Sequence, residues 1–199
     1  MIIKMEKHIR INNIMEISYS NGPFKRYTIW FQGCERNCKG CFNPETHDIK
    51  KGYSLRISEL INDILSYSGD IEGLTFSGGE PFLQFNALLN ICKKIRKKTN
   101  LGIIILTGYT AKELYLLEGF KDLCNYCDLI IAGPFVQEMS CSYGLKGSSN
   151  KECIFLSERY TRDQIEGTSV SEFKLKEGDI YISGIRPEFF LKGYKNRGF

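Results

Sequence analysis

Three cysteines fall close together in the stretch FQGCERNCKGCFN: Cys34, Cys38 and Cys41. At the spacing C-x3-C-x2-C, three soft thiolates can face one centre, which suits zinc or an iron–sulfur cluster. A structural zinc site takes four ligands, and His47 is a possible fourth in a Cys3His set. A ferredoxin-type cluster also takes a fourth cysteine, and the obvious candidates, Cys124 and Cys127 in CNYC, lie far along the chain. A set that stops at three has its own chemical meaning. A [4Fe–4S] cluster held by three thiolates keeps one iron open to a substrate or cofactor, the same distinction that separates catalytic from structural zinc.

A second stretch carries complementary chemistry. In TFSGGEP (75–81), Gly78 and Gly79 free the backbone for close approach to a ligand, and Glu80 offers a carboxylate suited to an ammonium group. Pro81 suits the first position of a helix, so the plainer reading is a tight strand-to-helix turn. The other cysteines read as structure first. Cys92 falls on the apolar side of a helical pattern and reads as a small core residue. Cys124 and Cys127 read as thiols flanking a strand before they read as a redox or half-metal pair, with Cys141 and Cys153 as further candidates for a second cluster. His47 reads as a loop residue before a ligand, and Trp30 as core.

These residues must be positioned by an alternation of strands and helices. The early segment predicts strands at 8–18 and 26–31, rich in β-branched and aromatic residues, around the turn SNGPF. The cysteine loop follows, then a helix at about 57–67 with Ser58 as its cap. Apolar strands at 72–79, 102–108 and 127–133 alternate with helices at 84–98 and 110–118, and each strand runs into glycine. That pattern implies βα units and a parallel sheet covered by helices, with ligands at the carboxyl edge. Beyond residue 150, CIFLS (153–157) and DIYISG (179–184) suggest further strands with loop between them.

A chain of 199 residues, 42% hydrophobic and 25% charged, has the composition of one globular domain able to bury a core. Its first residues alternate apolar and charged types and lack a signal-like apolar core, and the runs IIIL and LII are far too short to span a bilayer. The expectation is a cytoplasmic protein with no membrane partner, whose eight cysteines stay reduced, so clustered thiols point to metal or catalysis. The net charge of +4 is mild, and CKKIRKK (92–98) and LKGYKNRGF (191–199) read as solvated surface, so no nucleic-acid partner is expected.

The cysteine loop with Phe42 after its last thiol resembles the hallmark of the radical S-adenosylmethionine (SAM) superfamily, and TFSGGEP is similar to that superfamily's glycine-rich motif. NGPFKRYTIWFQGC, GCFNPET, LTGYTAKEL, IIAGPFVQE and LKGSSNK resemble, in order and spacing, the glycyl-radical activating enzymes, above all the group that activates anaerobic (class III) ribonucleotide reductase. Ala132 departs from that group's usual acidic residue, and Lys146 and Lys151 stand at its Arg and Gln positions. The resemblance runs over roughly residues 15 to 155 and does not explain 156–199.

The resemblance implies a radical SAM fold, here a single domain over 1–199: an α/β, partial and splayed TIM-type barrel. A full (β/α)8 barrel takes about 250 residues, so one side should stay open for a protein partner to close. Cys34, Cys38 and Cys41 would hold a [4Fe–4S] cluster with an open iron that SAM chelates. Gly40 and Phe42 would meet the adenine, Gly78, Gly79 and Glu80 the methionyl end, and Thr107 and Tyr109 the ribose or substrate, with Cys41 and Ser77 also in the cofactor-binding set. The implied reaction takes one electron from a flavodoxin-like or other low-potential donor, cleaves SAM to methionine and a 5′-deoxyadenosyl radical, and removes a Cα hydrogen from a glycine of the partner reductase. The alternatives are a radical SAM enzyme acting on another peptide or nucleotide, and a zinc or electron-transfer module.

Overall fold

The computed structural model describes residues 7–176 and 179–184, so the basic tail 191–199 and the first six residues lie outside it. Seven strands form the central sheet: β1 (His8–Ser18), β2 (Arg26–Phe31), β3 (Tyr53–Arg56), β4 (Gly73–Gly78), β5 (Gly102–Thr107), β6 (Leu129–Ala132) and β7 (Glu152–Phe155). They lie in the order β3-β1-β2-β4-β5-β6-β7. The middle strands β2, β4, β5 and β6 are parallel, as the βα alternation predicts. The flanking strands β1, β3 and β7 each pair antiparallel with their inner neighbour, so the sheet is mixed rather than wholly parallel.

Strand alternation gives the sheet two distinct faces. Tyr27, Ile29 and Phe31 of β2 share one face with Phe76, Ile105 and Ile130, in one core with the buried sides of α1 (Ile57–Ser66) and α2 (Phe85–Lys98). Cys92 is fully buried there, as the helical pattern predicts. On the opposite face Ile104, Leu129 and Ile131 pack with Leu145, Tyr160 and Ile165, partly from chain beyond β7. Burial on both faces is why these strands read as continuous apolar runs.

The structure corrects several local expectations. β3 is a short, largely exposed edge strand whose YSLR sequence has no apolar alternation to reveal it. It runs straight into α1, so Arg56, in extended conformation, and not Ser58, occupies the cap position, and the Ile57 N–H is met by the Lys7 carbonyl at 2.9 Å. The single helix expected at 110–118 is α3 (Ala111–Leu116), followed across left-handed Gly119 by a separate α4 (Phe120–Leu123). The stretch read as loop after β7 contains α5 (Arg162–Glu166) and β8 (Ser171–Lys176), which pairs antiparallel with β9 (Asp179–Gly184) as a hairpin outside the main sheet.

At the amino ends of the parallel strands sits a fully buried arginine. Arg26 Nη1 pairs with Glu72 at 2.7 Å and donates to the Tyr160 hydroxyl at 2.8 Å, Nε donates to Thr75 Oγ1 at 2.7 Å, and Nη2 donates to the carbonyls of Leu74 and Gly102. Arg159 holds the other carboxylate oxygen of Glu72 at 2.7 Å. A buried charge is tolerable only when its donors are satisfied, and here the network ties the segment after β7 to the base of the sheet. Among the described residues, no helix is long and apolar enough to cross a membrane.

Candidate functional site

At the carboxyl ends of β2, β4 and β5, on the face away from α1 and α2, the chain forms a cavity lined by Cys34, Cys38 and Cys41, by Phe42, and by Ser77, Gly78, Gly79 and Glu80. The two stretches singled out by their chemistry therefore meet across one space. Gly40, Thr107 and Tyr109 stand just off it. His47 is also off the cavity; its backbone carbonyl accepts from the Cys34 N–H at 3.1 Å, and its Nε2 is buried without a partner among the described residues.

The cysteine loop is shaped by backbone bonds and by one buried amide. The Gly33 N–H donates to the Thr46 carbonyl at 2.7 Å, and the Cys41 N–H to the Cys38 carbonyl at 3.2 Å. Gln32 sits beneath the loop and donates through Nε2 to the carbonyls of Asp48 at 2.7 Å and Glu45 at 3.2 Å. Burial pushes the Cys34 and Cys41 thiols above their ordinary values. Among the described residues no three His, Cys, Asp or Glu side chains are already drawn together at coordination distance. The thiols share a cavity; they do not form a closed cage.

The glycine pair is where this loop rests on β4. Gly78 has φ +104, and a Cβ there would lie 2.4 Å from the Phe31 nitrogen. A Cβ on Gly79 would lie 2.3 Å from the Gly33 carbonyl oxygen and 3.0 Å from that of Thr46. The close approach that the sequence predicts is thus made first by the chain's own backbone. Gly79→Ala is expected to destabilise the protein by about 2 kcal/mol through that contact, whereas Gly69→Ala, whose Cβ meets nothing within 4 Å, should change stability by less than about 0.5 kcal/mol. Paired urea denaturation curves read the difference, and equal effects would discount the loop contact.

Glu80 is 1% exposed and already well supplied. Its Oε1 accepts from Thr107 Oγ1 at 2.7 Å and from the Phe82 N–H at 3.0 Å, and its Oε2 from the Gly108 N–H at 2.7 Å. Burial raises its pKa, and these three bonds and the nearby Arg36 oppose the rise. Thr107, an expected ligand contact, is therefore engaged in orienting Glu80. Tyr109 lies under the Arg36 guanidinium, 4.1 Å from ring centroid to Cζ, and Arg36 also pairs with Glu113 at 2.9 Å. That pairing, with bonds from Thr110, holds the Glu113 carboxyl at about 2.

Sequence reasoning missed several of the residues that complete the cavity. Trp30, expected as core, joins the lining from β2, as Leu106 does from β5. Phe135, 4.3 Å from the Phe42 ring, joins from the loop after β6. Lys146 and Lys151 bring positive charge, and neither side chain has an ion-pair partner among the described residues. Burial lowers the Lys151 pKa, opposed by Glu80, Cys38 and Cys41. Their place in the motif-like LKGSSNK was the available signal for the lysines, as the motif-like NGPFKRYTIWFQGC was for Asn21, while nothing in the sequence marked Gly184 for the cavity that both it and Asn21 line.

Three soft thiols in one cavity, beside a buried carboxylate and two lysines, fit an iron–sulfur cluster and a zwitterionic ligand by the chemistry of the donors. Comparison with known proteins supports the cluster. Residues 20–154 match the family model described as "4Fe-4S single cluster domain". The chain is 32% identical over 143 residues to the anaerobic ribonucleoside-triphosphate reductase-activating protein of Vibrio cholerae, covering 68% of this chain and 90% of that protein. The protein of the same description from Haemophilus influenzae is 30% identical, over 66% of this chain and 88% of that one. The pyruvate formate-lyase-activating enzyme of Clostridium pasteurianum is 29% identical, over 61% of this chain but only 50% of that enzyme. Among solved structures, QueE from Escherichia coli aligns at a TM-score of 0.41 with 16% identity, over 52% of this chain and 53% of that one, an overlap too loose to bear on the fold.

Proposed function

The chain belongs to the radical S-adenosylmethionine superfamily, through its 4Fe-4S single cluster domain, and from that premise we propose that it installs a glycyl radical on an anaerobic ribonucleoside-triphosphate reductase. The observation that carries this reading is the meeting of the three thiols with the glycine pair and Glu80 around one cavity at the carboxyl end of parallel strands. The extent of the likeness to activating proteins of anaerobic reductases supports the substrate.

In this reading Cys34, Cys38 and Cys41 would hold a [4Fe–4S] cluster, and a lining that, among the described residues, includes these three thiols and no fourth is consistent with an iron left for SAM. Bound together, cluster and SAM supply reductive cleavage to methionine and a 5′-deoxyadenosyl radical, given one electron from a flavodoxin-like or other low-potential donor. The chain's own residues bind and orient. Glu80, kept rigid by Thr107 and by the N–H groups of Phe82 and Gly108, presents negative charge to the methionyl ammonium. Lys146 and Lys151 present positive charge suited to its carboxylate. Phe42 and Phe135 offer an aromatic surface for the adenine, with Gly40 and Cys41 beside it. Ser77, Gly78 and Gly79 contribute to the lining shared with the thiols. Thr107 and Tyr109 serve through Glu80 and Arg36.

We read the described chain as one radical SAM domain built on a partial, splayed barrel, with the mixed sheet as its wall. Four parallel strands can curve around only part of a barrel's circumference, and the open side gives a glycine-bearing loop of a protein partner a way in. Electron paramagnetic resonance of the anaerobically reconstituted, reduced protein, with and without SAM, tests the reading. A cluster signal that changes on adding SAM is expected. An unchanged signal would mean four protein ligands and an electron carrier, and stoichiometric zinc with no signal would mean a structural site.

A further inference from the structure

The β8–β9 hairpin lies beyond residue 154, where the family match ends. A two-stranded ribbon is marginal alone in water, so its attachment decides whether it has a fixed position. The attachment point is the turn between β1 and β2. Glu172 Oε1 accepts from the hydroxyl of Ser18 and from that of Ser20 at 3.0 Å, and Oε2 accepts from the Tyr19 N–H at 2.9 Å. Bonds to a carboxylate are charge-assisted and stronger than neutral ones. From β9, Ser183 Oγ accepts from Asn21 Nδ2 at 2.8 Å, and the Asn21 carbonyl accepts from Thr75 Oγ1 of β4 at 2.6 Å. A continuous chain of bonds thus runs from hairpin to turn to sheet.

This attachment reaches the cavity. Asn21 and Gly184 both line it, together with the three thiols. Gly184 has φ +125, and a Cβ there would lie 2.3 Å from the Val170 carbonyl oxygen, so the hairpin brings bare backbone to the cavity. With Glu172 turned onto the β1–β2 turn, strand alternation sends Phe173 and Leu175 the other way, where they are 52% and 77% exposed. The residues proposed for cluster and SAM all lie inside the matched region. An added element with bare backbone at the cavity and apolar side chains outside suits a polypeptide.

Resting on the activase reading, we propose that the β8–β9 hairpin is the wall along which an extended glycine-bearing segment of the partner enters the cavity, with Glu172 as the positioning residue that fixes it. The test compares wild-type protein with Glu172→Ala and Ser183→Ala, using the anaerobic ribonucleoside-triphosphate reductase of the same organism as partner. Three quantities are measured: deuterium exchange over 171–184, dithionite-driven SAM cleavage without partner, and the KM for the reductase in glycyl-radical formation. Glu172→Ala is expected to speed exchange in the hairpin, leave SAM cleavage within about twofold, and raise the partner KM by roughly tenfold, as follows if the hairpin keeps its position in only about a tenth of molecules. Ser183→Ala, losing one neutral bond, should move the same way but less.

An unchanged partner KM despite faster exchange would overturn the hairpin proposal and leave the activase reading standing. Exchange that stays slow would overturn the positioning role of Glu172. SAM cleavage falling in step with activation would make the hairpin part of the cofactor pocket and overturn its role as a guide. If the wild-type protein cleaves SAM but never activates the reductase, the activase reading fails and takes the hairpin proposal with it.

Discussion

Single replacement of Cys34, Cys38 or Cys41 by alanine is expected to abolish cluster retention, leaving under a tenth of the wild-type iron and at least a hundredfold less SAM cleavage. A proposed set of three thiolates leaves no redundancy, because each would be a third of the ligands and, among the described residues, no fourth cysteine lines the cavity. Cys92→Ala is the matched control. That thiol is fully buried in the core under α2, and burial pushes its pKa far up, so it is a small apolar group rather than a ligand. Its removal should cost about 1 kcal/mol of stability and leave iron content and SAM cleavage near wild type. Iron analysis and anaerobic product assays on the four variants decide it, and equal losses in all four would refute the ligand assignment. Retention of half the iron in a single variant would point to a further donor, with His47, whose Nε2 is buried without a partner among the described residues, as the first to test.

Arg26→Met is expected to cost about 3 kcal/mol in folding free energy, a large share of the 5–15 kcal/mol typical of a domain. The guanidinium is fully buried, and its loss strips donors from Thr75, Tyr160 and the Leu74 and Gly102 carbonyls. Glu72 limits the damage, since it keeps Arg159 and is 24% exposed. The estimate therefore sits at the low end for a broken buried pair. Arg56→Ala is the comparison: its pairing with Glu59 is exposed and 3.9 Å long, and removal should change stability by less than about 0.5 kcal/mol. Urea denaturation of both variants gives the answer, and a loss below about 1 kcal/mol for Arg26→Met would mean that the network contributes little beyond packing.

Much of the site was legible because its chemistry is local in sequence. Cys34, Cys38 and Cys41 share a loop, and Ser77 to Glu80 share a turn, so their spacing survives any rearrangement of the rest of the chain. The strands and the helices α1 and α2 were legible for the same reason. Burial of one helix side or of both sheet faces leaves a periodic mark on composition. β3 left no such mark because an exposed four-residue edge strand has almost no apolar side to repeat. β8 did carry the alternation of a strand in Glu172, Phe173, Lys174 and Leu175, but with only two apolar residues in the run it was too short to stand out from a polar loop.

By itself, then, the sequence determined the thiol set, the glycine turn and the βα alternation, since covalent spacing and side-chain periodicity carry each of them. Tertiary structure alone decided which groups meet. It set Gly79 against the Gly33 carbonyl, turned Thr107 onto Glu80, buried Arg26 beneath the sheet, and fastened Glu172 to a turn more than 150 positions earlier in the chain. The physical reason is that such contacts depend on how separate elements pack, and packing is a sum over the whole core that no local pattern records.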